Sequence, residues 1–210
     1  MTSHLVEGRP LPDAVAGHPA LELCNTRAIW GSPAPKEYLH DYLTFALWAR
    51  EHEILTPDET EALRDWSSTD AQQAQRELHR VLRVRDLIYA AVTSEAPTDA
   101  LQRQVARAVR VSAYRHLADG TLQLDGGPLA LALPVNRVTL LGHALLTHHG
   151  PDAVGRCSGE GCGWVFLDPT RRRHWCQMAV CGNRAKVKAY AARKRRALGS
   201  AEQLEAQADG

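Results

Sequence analysis

The sequence predicts an α+β chain. A mostly helical N-terminal domain with a small antiparallel sheet is followed by a C-terminal four-cysteine module of zinc-ribbon or treble-clef-like type with a basic helix. Three observations lead there. Helical periodicities dominate residues 39–146, four of five cysteines fall between Cys157 and Cys181, and Lys and Arg crowd around and after them. The chain has 210 residues, 44% of them hydrophobic, with 25 Lys+Arg against 24 Asp+Glu. That suits one large domain with a small appendage and excludes a disordered chain. No stretch reaches the roughly 18 uninterrupted apolar residues of a membrane span. Residues 1–12 lack the apolar run of an export signal, so a reducing, cytoplasmic setting is expected.

Elements follow in order. His18 to Thr26 is an apolar, alternating stretch ending in Asn25-Thr26. Leu39 to Glu51 has apolar residues at helical spacing. Thr56-Pro57-Asp58-Glu59 carries an N-cap, a first-position proline and a capping-box acid, so it starts a helix running to about Trp66. Asp70 to Ser94 reads as one long helix, with Arg85 snorkelling at the edge of its apolar stripe. Thr98-Asp99 opens another, to about Val109. Tyr114–Ala118, Thr121–Leu124 and Leu129–Leu133, separated by Asp-Gly and Gly-Gly-Pro, predict a β-meander of two or three strands. Pro134 starts an apolar helix through Leu146. These assignments divide the chain into a body over 1–154, a module over 155–198 and a flexible tail over 199–210. The body is expected to fold alone.

The near-neutral charge conceals an asymmetry. Residues 156–196 hold eleven Lys/Arg and two acids, which leaves 14 bases and 22 acids elsewhere. A basic module on an acidic body points to a polyanionic partner. Cys157, Cys162, Cys176 and Cys181 form two C-x4-C pairs thirteen residues apart, a spacing that brings four thiolates around one metal. Two disulfides would suit an exported chain, and iron–sulfur clusters take tighter or more asymmetric spacings. Structural Zn2+ is therefore the expected cofactor. Four thiolates close its shell, and His174 beside them reads as a surface donor. Cys24 reads as a small buried residue.

Gly163–Leu167 reads as a strand leaving the first pair. Gly182-Asn183 caps a helix from Arg184 to about Leu198, whose Val187, Tyr190 and alanines are expected to face the metal. The residues expected on nucleic acid are Arg171, Arg172, Arg173, Arg184, Lys186, Lys188, Arg193, Lys194, Arg195 and Arg196. Trp164 and Trp175 are expected to pack around the metal. A basic helix suits a major groove, which favours duplex DNA over RNA. In the body, Asn25, Thr26, Arg27, Asn136 and Arg137 are the candidate ligand-pocket residues. No G-x-S-x-G, H-E-x-x-H or phosphate loop is present, so an enzyme is not expected.

The run from Cys157 through Cys181-Gly182-Asn183-Arg184 to Arg196, with Gly163–Asp168, Trp175-Cys176 and Met178, resembles the CGNR zinc-finger family. His18-Pro19-Ala20-Leu21, Asn25-Thr26 and the Tyr42–Leu55 segment resemble its usual companion, the ABATE domain of stress-induced transcription regulators. The resemblance implies a zinc-dependent, DNA-binding transcriptional regulator whose N-terminal domain senses a small-molecule effector. A nucleoid-associated location is expected for it, and a homodimer is one candidate assembly, the sequence leaving the oligomeric state open. The alternatives are an RNA-binding or RNA-processing factor, or an enzyme recruited to nucleic acid by the finger.

Overall fold

A computed structural model describes residues 2–93 and 98–208. Two short strands, β1 (Ser3–Val6) and β2 (Arg9–Pro12), form an N-terminal hairpin that the sequence reading missed. Its turn places Glu7 and Gly8 at φ 49° and 76°, the left-handed pair that a two-residue hairpin turn demands. Helix α1 (Pro19–Asn25) replaces the alternating stretch expected there. His18 caps it and Pro19 opens it, and every residue from Ala20 to Asn25 is buried. A helix enclosed on all sides shows no polar face, which is why its period was unreadable. Strands β3 (Arg27–Ala28) and β4 (Lys36–Glu37) pair across the loop that carries Trp30.

Helices α2 (Tyr42–Glu51), α3 (Pro57–Thr69), α4 (Ala71–Thr93) and α5 (Asp99–Val111) follow the predicted positions closely. Asp41 caps α2 by accepting from the Thr44 amide at 2.7 Å. The Thr56–Glu59 capping box starts α3 as the sequence implies, though the helix runs on to Thr69. The end of α4 expected at Ser94 lies outside the described residues. Arg85 does not snorkel: it is buried, donating to Glu37 at 2.7 Å and to the Thr26 hydroxyl at 3.2 Å.

The meander is reduced to one hairpin, β5 (Tyr114–His116) with β6 (Leu122–Leu124). Its expected third strand, Leu129–Leu133, is a turn entering helix α6 (Leu133–His148). There the Leu131 carbonyl accepts from the Tyr42 hydroxyl at 2.8 Å, a side chain taking the place of a strand partner. Strand β7 (Val154–Arg156) pairs antiparallel with β8 (Val165–Leu167). A π-helical turn at Met178–Gly182 leads into α7 (Asn183–Ala208). Residues 199–208, expected as a flexible tail, continue α7.

The body boundary expected at 154 falls inside β7. One hydrophobic core runs through both parts, from Trp48, Phe45 and Leu21 to Trp164, Val165, Phe166 and all four module cysteines. A chain ending at Val154 would uncover the face of α1 that receives β8. It should melt roughly 10 °C or more below the full-length protein, or without cooperativity, in a circular-dichroism scan.

Arg137 of α6 locks α3 and α6 together. It donates to both Glu59 carboxylate oxygens (2.7 and 2.8 Å) and to the carbonyls of Ile54 and Asp125. Burial pushes the Glu59 carboxyl up, but Arg137 and the Thr56 amide outweigh it and hold it below the ordinary range. A depressed carboxyl contributes stability above its unfolded pKa, and that contribution disappears as pH falls through the folded value. Glu59→Gln should therefore cost about 1–3 kcal/mol at pH 7, with a difference from wild type that shrinks below about pH 4, in urea melts across pH.

Candidate metal centre and basic helix

Cys157 sits where β7 ends, and the chain turns through Ser158–Gly161 to Cys162, closed by the Cys162 amide donating to the Gly159 carbonyl at 2.9 Å. Cys176 precedes the π-helical turn before α7, and Cys181 lies within it. The Ser158 amide donates to the His174 carbonyl at 2.9 Å and ties the two turns together. The four sulfurs all lie within 4.8 Å of one another and are buried. Cys162 and Cys176 approach to 3.7 Å, and Cys176 and Cys181 to 3.5 Å. Sulfurs about 2.3 Å from a tetrahedral zinc stand about 3.8 Å apart, so the set fits such an ion. The Gly159 amide points at the Cys157 sulfur at 3.4 Å, and a Cβ at Gly159 would lie 3.1 Å from the Cys181 sulfur. Any side chain there would crowd the sulfurs.

The thiols hydrogen-bond one another. Bonds from Cys162 and Cys176 hold Cys157 far below the ordinary thiol range, and Cys162 and Cys176 are pushed up in turn. Cys157, Cys162, Cys176 and Cys181 would hold a divalent cation as thiolates, with the shared protons released. Cys24 stands apart, fully buried, with its thiol donating to the Ala20 carbonyl at 3.4 Å.

The metal module is clamped to the body by backbone recognition. The Asn25 carboxamide, fully buried, donates to the Val165 carbonyl at 2.9 Å and accepts from the Val165 amide at 2.9 Å. The Tyr89 hydroxyl donates to the Gly163 carbonyl at 2.8 Å, and the Trp164 indole donates to the Arg27 carbonyl at 3.1 Å. Trp30 stacks on Tyr89 at 3.7 Å between ring centres. It presses so closely on Gly163, at φ +70°, that a Cβ there would meet the Trp30 Cβ at 2.7 Å.

These contacts reassign the candidate ligand-pocket residues, which the structure does not bring together. Asn25 is the clamp. Thr26 is fully buried, donating to the Leu23 carbonyl at 2.6 Å. Arg27 lies over Trp30 at 4.7 Å, beside Asp86 at 3.6 Å. Asn136 belongs to a second buried network, donating to the Gly126 carbonyl and accepting from Arg80. Arg137 alone lines a cavity of about 470 Å³, between the β5–β6 hairpin, α6 and the turn after α2. His52, Tyr114, Leu122, Leu141 and His143 also line it. Sequence reasoning missed them because they come from three segments remote in sequence: the turn after α2, the β5–β6 hairpin and α6.

The basic residues divide into two groups. Arg172, Arg184, Lys186 and Arg193–Arg196 are exposed. Arg171 is exposed beside Asp152 at 3.0 Å, and Lys188 pairs with Glu160. Arg173 is turned inward and corrects the expectation of a nucleic-acid contact. It donates to the carbonyls of Trp175 and Cys176, lies 4.2 Å over the Phe166 ring, and its amide donates to Asp168 at 2.8 Å. That amide, with the Thr170 hydroxyl, holds the Asp168 carboxyl below its ordinary range against the opposing effect of desolvation. Trp164 is fully buried as expected. Val187 and Tyr190 do not face the metal: they are 68% and 64% exposed. The small side of α7, with Ala185, Ala189 and Ala192, lies along the first cysteine turn instead.

Four thiols fitted to one ion, a short hairpin and a following basic helix define a four-cysteine zinc finger, here fused to a helical domain. The CGNR zinc-finger model matches residues 154–194, and the ABATE model, described as "Putative stress-induced transcription regulator", matches residues 17–155. The chain belongs to the ABATE family and carries a CGNR zinc finger. No curated protein matches it.

Asn25→Ala would leave both Val165 backbone groups buried and unpaired, a loss of roughly 2–4 kcal/mol. Asn25→Asp keeps the acceptor but loses the donor, so it should also destabilise. Denaturant midpoints of the two variants against wild type check this.

Proposed function

We propose that this protein is a zinc-dependent, DNA-binding transcriptional regulator whose N-terminal domain responds to a small ligand. The observation that carries the reading is α7. From Arg184 to Arg196 it presents seven Lys and Arg and no acid, and Arg184, Lys186 and Arg193–Arg196 are exposed with Arg172 nearby in sequence. Exposed cations on a metal-stiffened unit suit phosphate contacts, and Arg can read guanine through two hydrogen bonds. The exposed Val187 and Tyr190 lie among them and suit apolar contact with thymine methyl groups. Zinc would be held by Cys157, Cys162, Cys176 and Cys181, where it supplies folding energy to a module with few apolar residues of its own. The reading contains no catalytic step, because four thiolates leave no coordination position for water.

The 470 Å³ cavity has the size of a small-ligand site, and we assign the effector to it. The buried clamp at Asn25 and Tyr89 gives the body a rigid hold on the finger through which occupancy is transmitted. A nucleoid location follows from DNA binding.

Metal analysis of the purified protein should give one Zn2+ per chain, and less with Cys176→Ser. If about five to seven phosphates are neutralised, log K for duplex DNA should fall with log salt at a slope of about −5 to −6. Lys186→Ala should reduce that slope by about one on all sequences. Arg173→Ala should instead lower metal retention and stability. Fluorescence-anisotropy titrations decide the matter. DNA affinity unchanged by the α7 substitutions would reject the reading, and tighter binding to single strands or RNA would favour base stacking on Tyr190.

A further inference from the structure

We propose that the groove between α4 and α5 is a second, separate site, one that binds the phosphate chain of a small di- or triphosphate-bearing molecule. The body as a whole is acidic, yet this groove is not. On α4, Arg76, Arg80 and Arg83 recur at the four- and three-residue steps that share one helix face, and on α5 Arg103, Arg107 and Arg110 do the same. The two rows meet. Arg80 donates to Gln104 at 3.0 Å, and Arg107 reaches Glu77 at 3.8 Å. Between them lies a cavity of about 400 Å³, lined by Arg76, Glu77, Arg80, Arg83 and Arg107 among others. Arg103 and Arg110 continue the α5 row beyond it.

The charge in the groove is unbalanced. Its one lining acid, Glu77, has a side chain only 3% exposed and is already taken. It pairs with Arg80, itself 7% exposed, at 3.2 Å and accepts from Gln73 at 3.0 Å. Arg80 is further fixed by donating to Asn136 at 2.7 Å. Glu77 and Arg80 thus form a rigid, neutral floor. Above it Arg76 donates to Gln73, and among the described residues Arg76, Arg83, Arg103 and Arg110 make no ion pair with a carboxylate. Elsewhere on the body several half-buried cations find acids: Arg9 meets Asp41, and Arg50 and Arg64 meet Glu7. Like charges four residues apart on a helix destabilise it, and here two such rows face each other. An anion in the groove removes that repulsion.

The chemistry of the groove selects the anion. Arginine forks match phosphate oxygens through paired hydrogen bonds. The rows extend about 10 Å along each helix, so one phosphate would engage only part of them, whereas linked phosphoryl groups engage both. The volume is that of a small-molecule site. The groove is also distinct from the finger. Arg80 and Tyr89 are nine residues apart, about two and a half turns, so their side chains leave α4 on opposite sides. Tyr89 holds the metal module through the Gly163 carbonyl, on the side of α4 away from Arg80. The effector cavity beside α6 shares none of its lining residues.

Isothermal titration of the zinc-loaded, full-length protein with tripolyphosphate tests the site, with sulfate at matched ionic strength as the single-anion control. One tripolyphosphate per chain is expected, bound at least tenfold more tightly than sulfate. The double variant Arg83→Gln/Arg107→Gln should weaken tripolyphosphate at least tenfold while leaving duplex affinity unchanged. The finger variant Arg172→Gln/Lys186→Gln should leave tripolyphosphate binding intact. Absence of binding, binding lost only in the finger variant, or duplex affinity lost in the groove variant would each overturn the proposal.

Discussion

A single carboxamide sets the relation between the two parts of this chain. Asn25 meets the amide and carbonyl of Val165 as a neighbouring strand would, at the end of α1 and deep in the core. A two-stranded ribbon such as β7–β8 is marginal in water by itself. Here its inner strand is completed by a side chain from the body, and its flanking carbonyl at Gly163 is completed by Tyr89. Cys157 and Cys162 lie in the turn that joins the two strands of this supported ribbon, and Cys176 and Cys181 follow in the segment that leads into α7. Their geometry is therefore fixed from two directions, by the ion they fit and by the helical domain they rest on.

The same economy of polar groups runs through the module. Arg173 lies between the two cysteine pairs, where a run of three arginines suggests a surface loop. Its guanidinium satisfies the carbonyls that lead into Cys176 and covers Phe166. Asp168 gathers the loop by accepting the Arg173 amide and the Thr170 hydroxyl. The loop is stiff because its own polar atoms are consumed, which leaves Arg171 and Arg172 as its outward cations. Helix α7 meets the first cysteine turn through its small side and the Lys188–Glu160 pair, while Val187 and Tyr190 stay exposed.

Much of this was legible in advance. Two C-x4-C pairs announced a four-sulfur site, because the spacing of ligands along a chain is local and the chemistry tolerates few alternatives. Thr56-Pro57-Asp58-Glu59 announced α3, because a capping box is completed within four residues. Helices α2 and α4 appeared from their periodicity, and α5 and α6 from their start signals, Thr98-Asp99 and Pro134. Each failure has its own physical cause. Helix α1 is enclosed on every side and shows no period. Leu129–Leu133 looked like a strand because apolar content alone does not separate a strand from a buried turn. The β1–β2 hairpin hides in a turn, Glu7-Gly8, whose first residue is an uncommon choice for a left-handed conformation.

The sequence by itself determined the metal ligands, most helix boundaries and the basic character of the C-terminal helix, since each depends on residues close together along the chain. The tertiary structure decided which polar residues are spent internally. Asn25 and Val165 are 140 positions apart, and Arg80 and Asn136 are 56 apart. No local pattern encodes such pairings. Equally, Arg76, Arg83 and Arg107 look like ordinary solvated charges until α4 and α5 pack and set them around one groove. The chain order fixes what chemistry is available, and the packing of helices fixes which of it faces the same point in space.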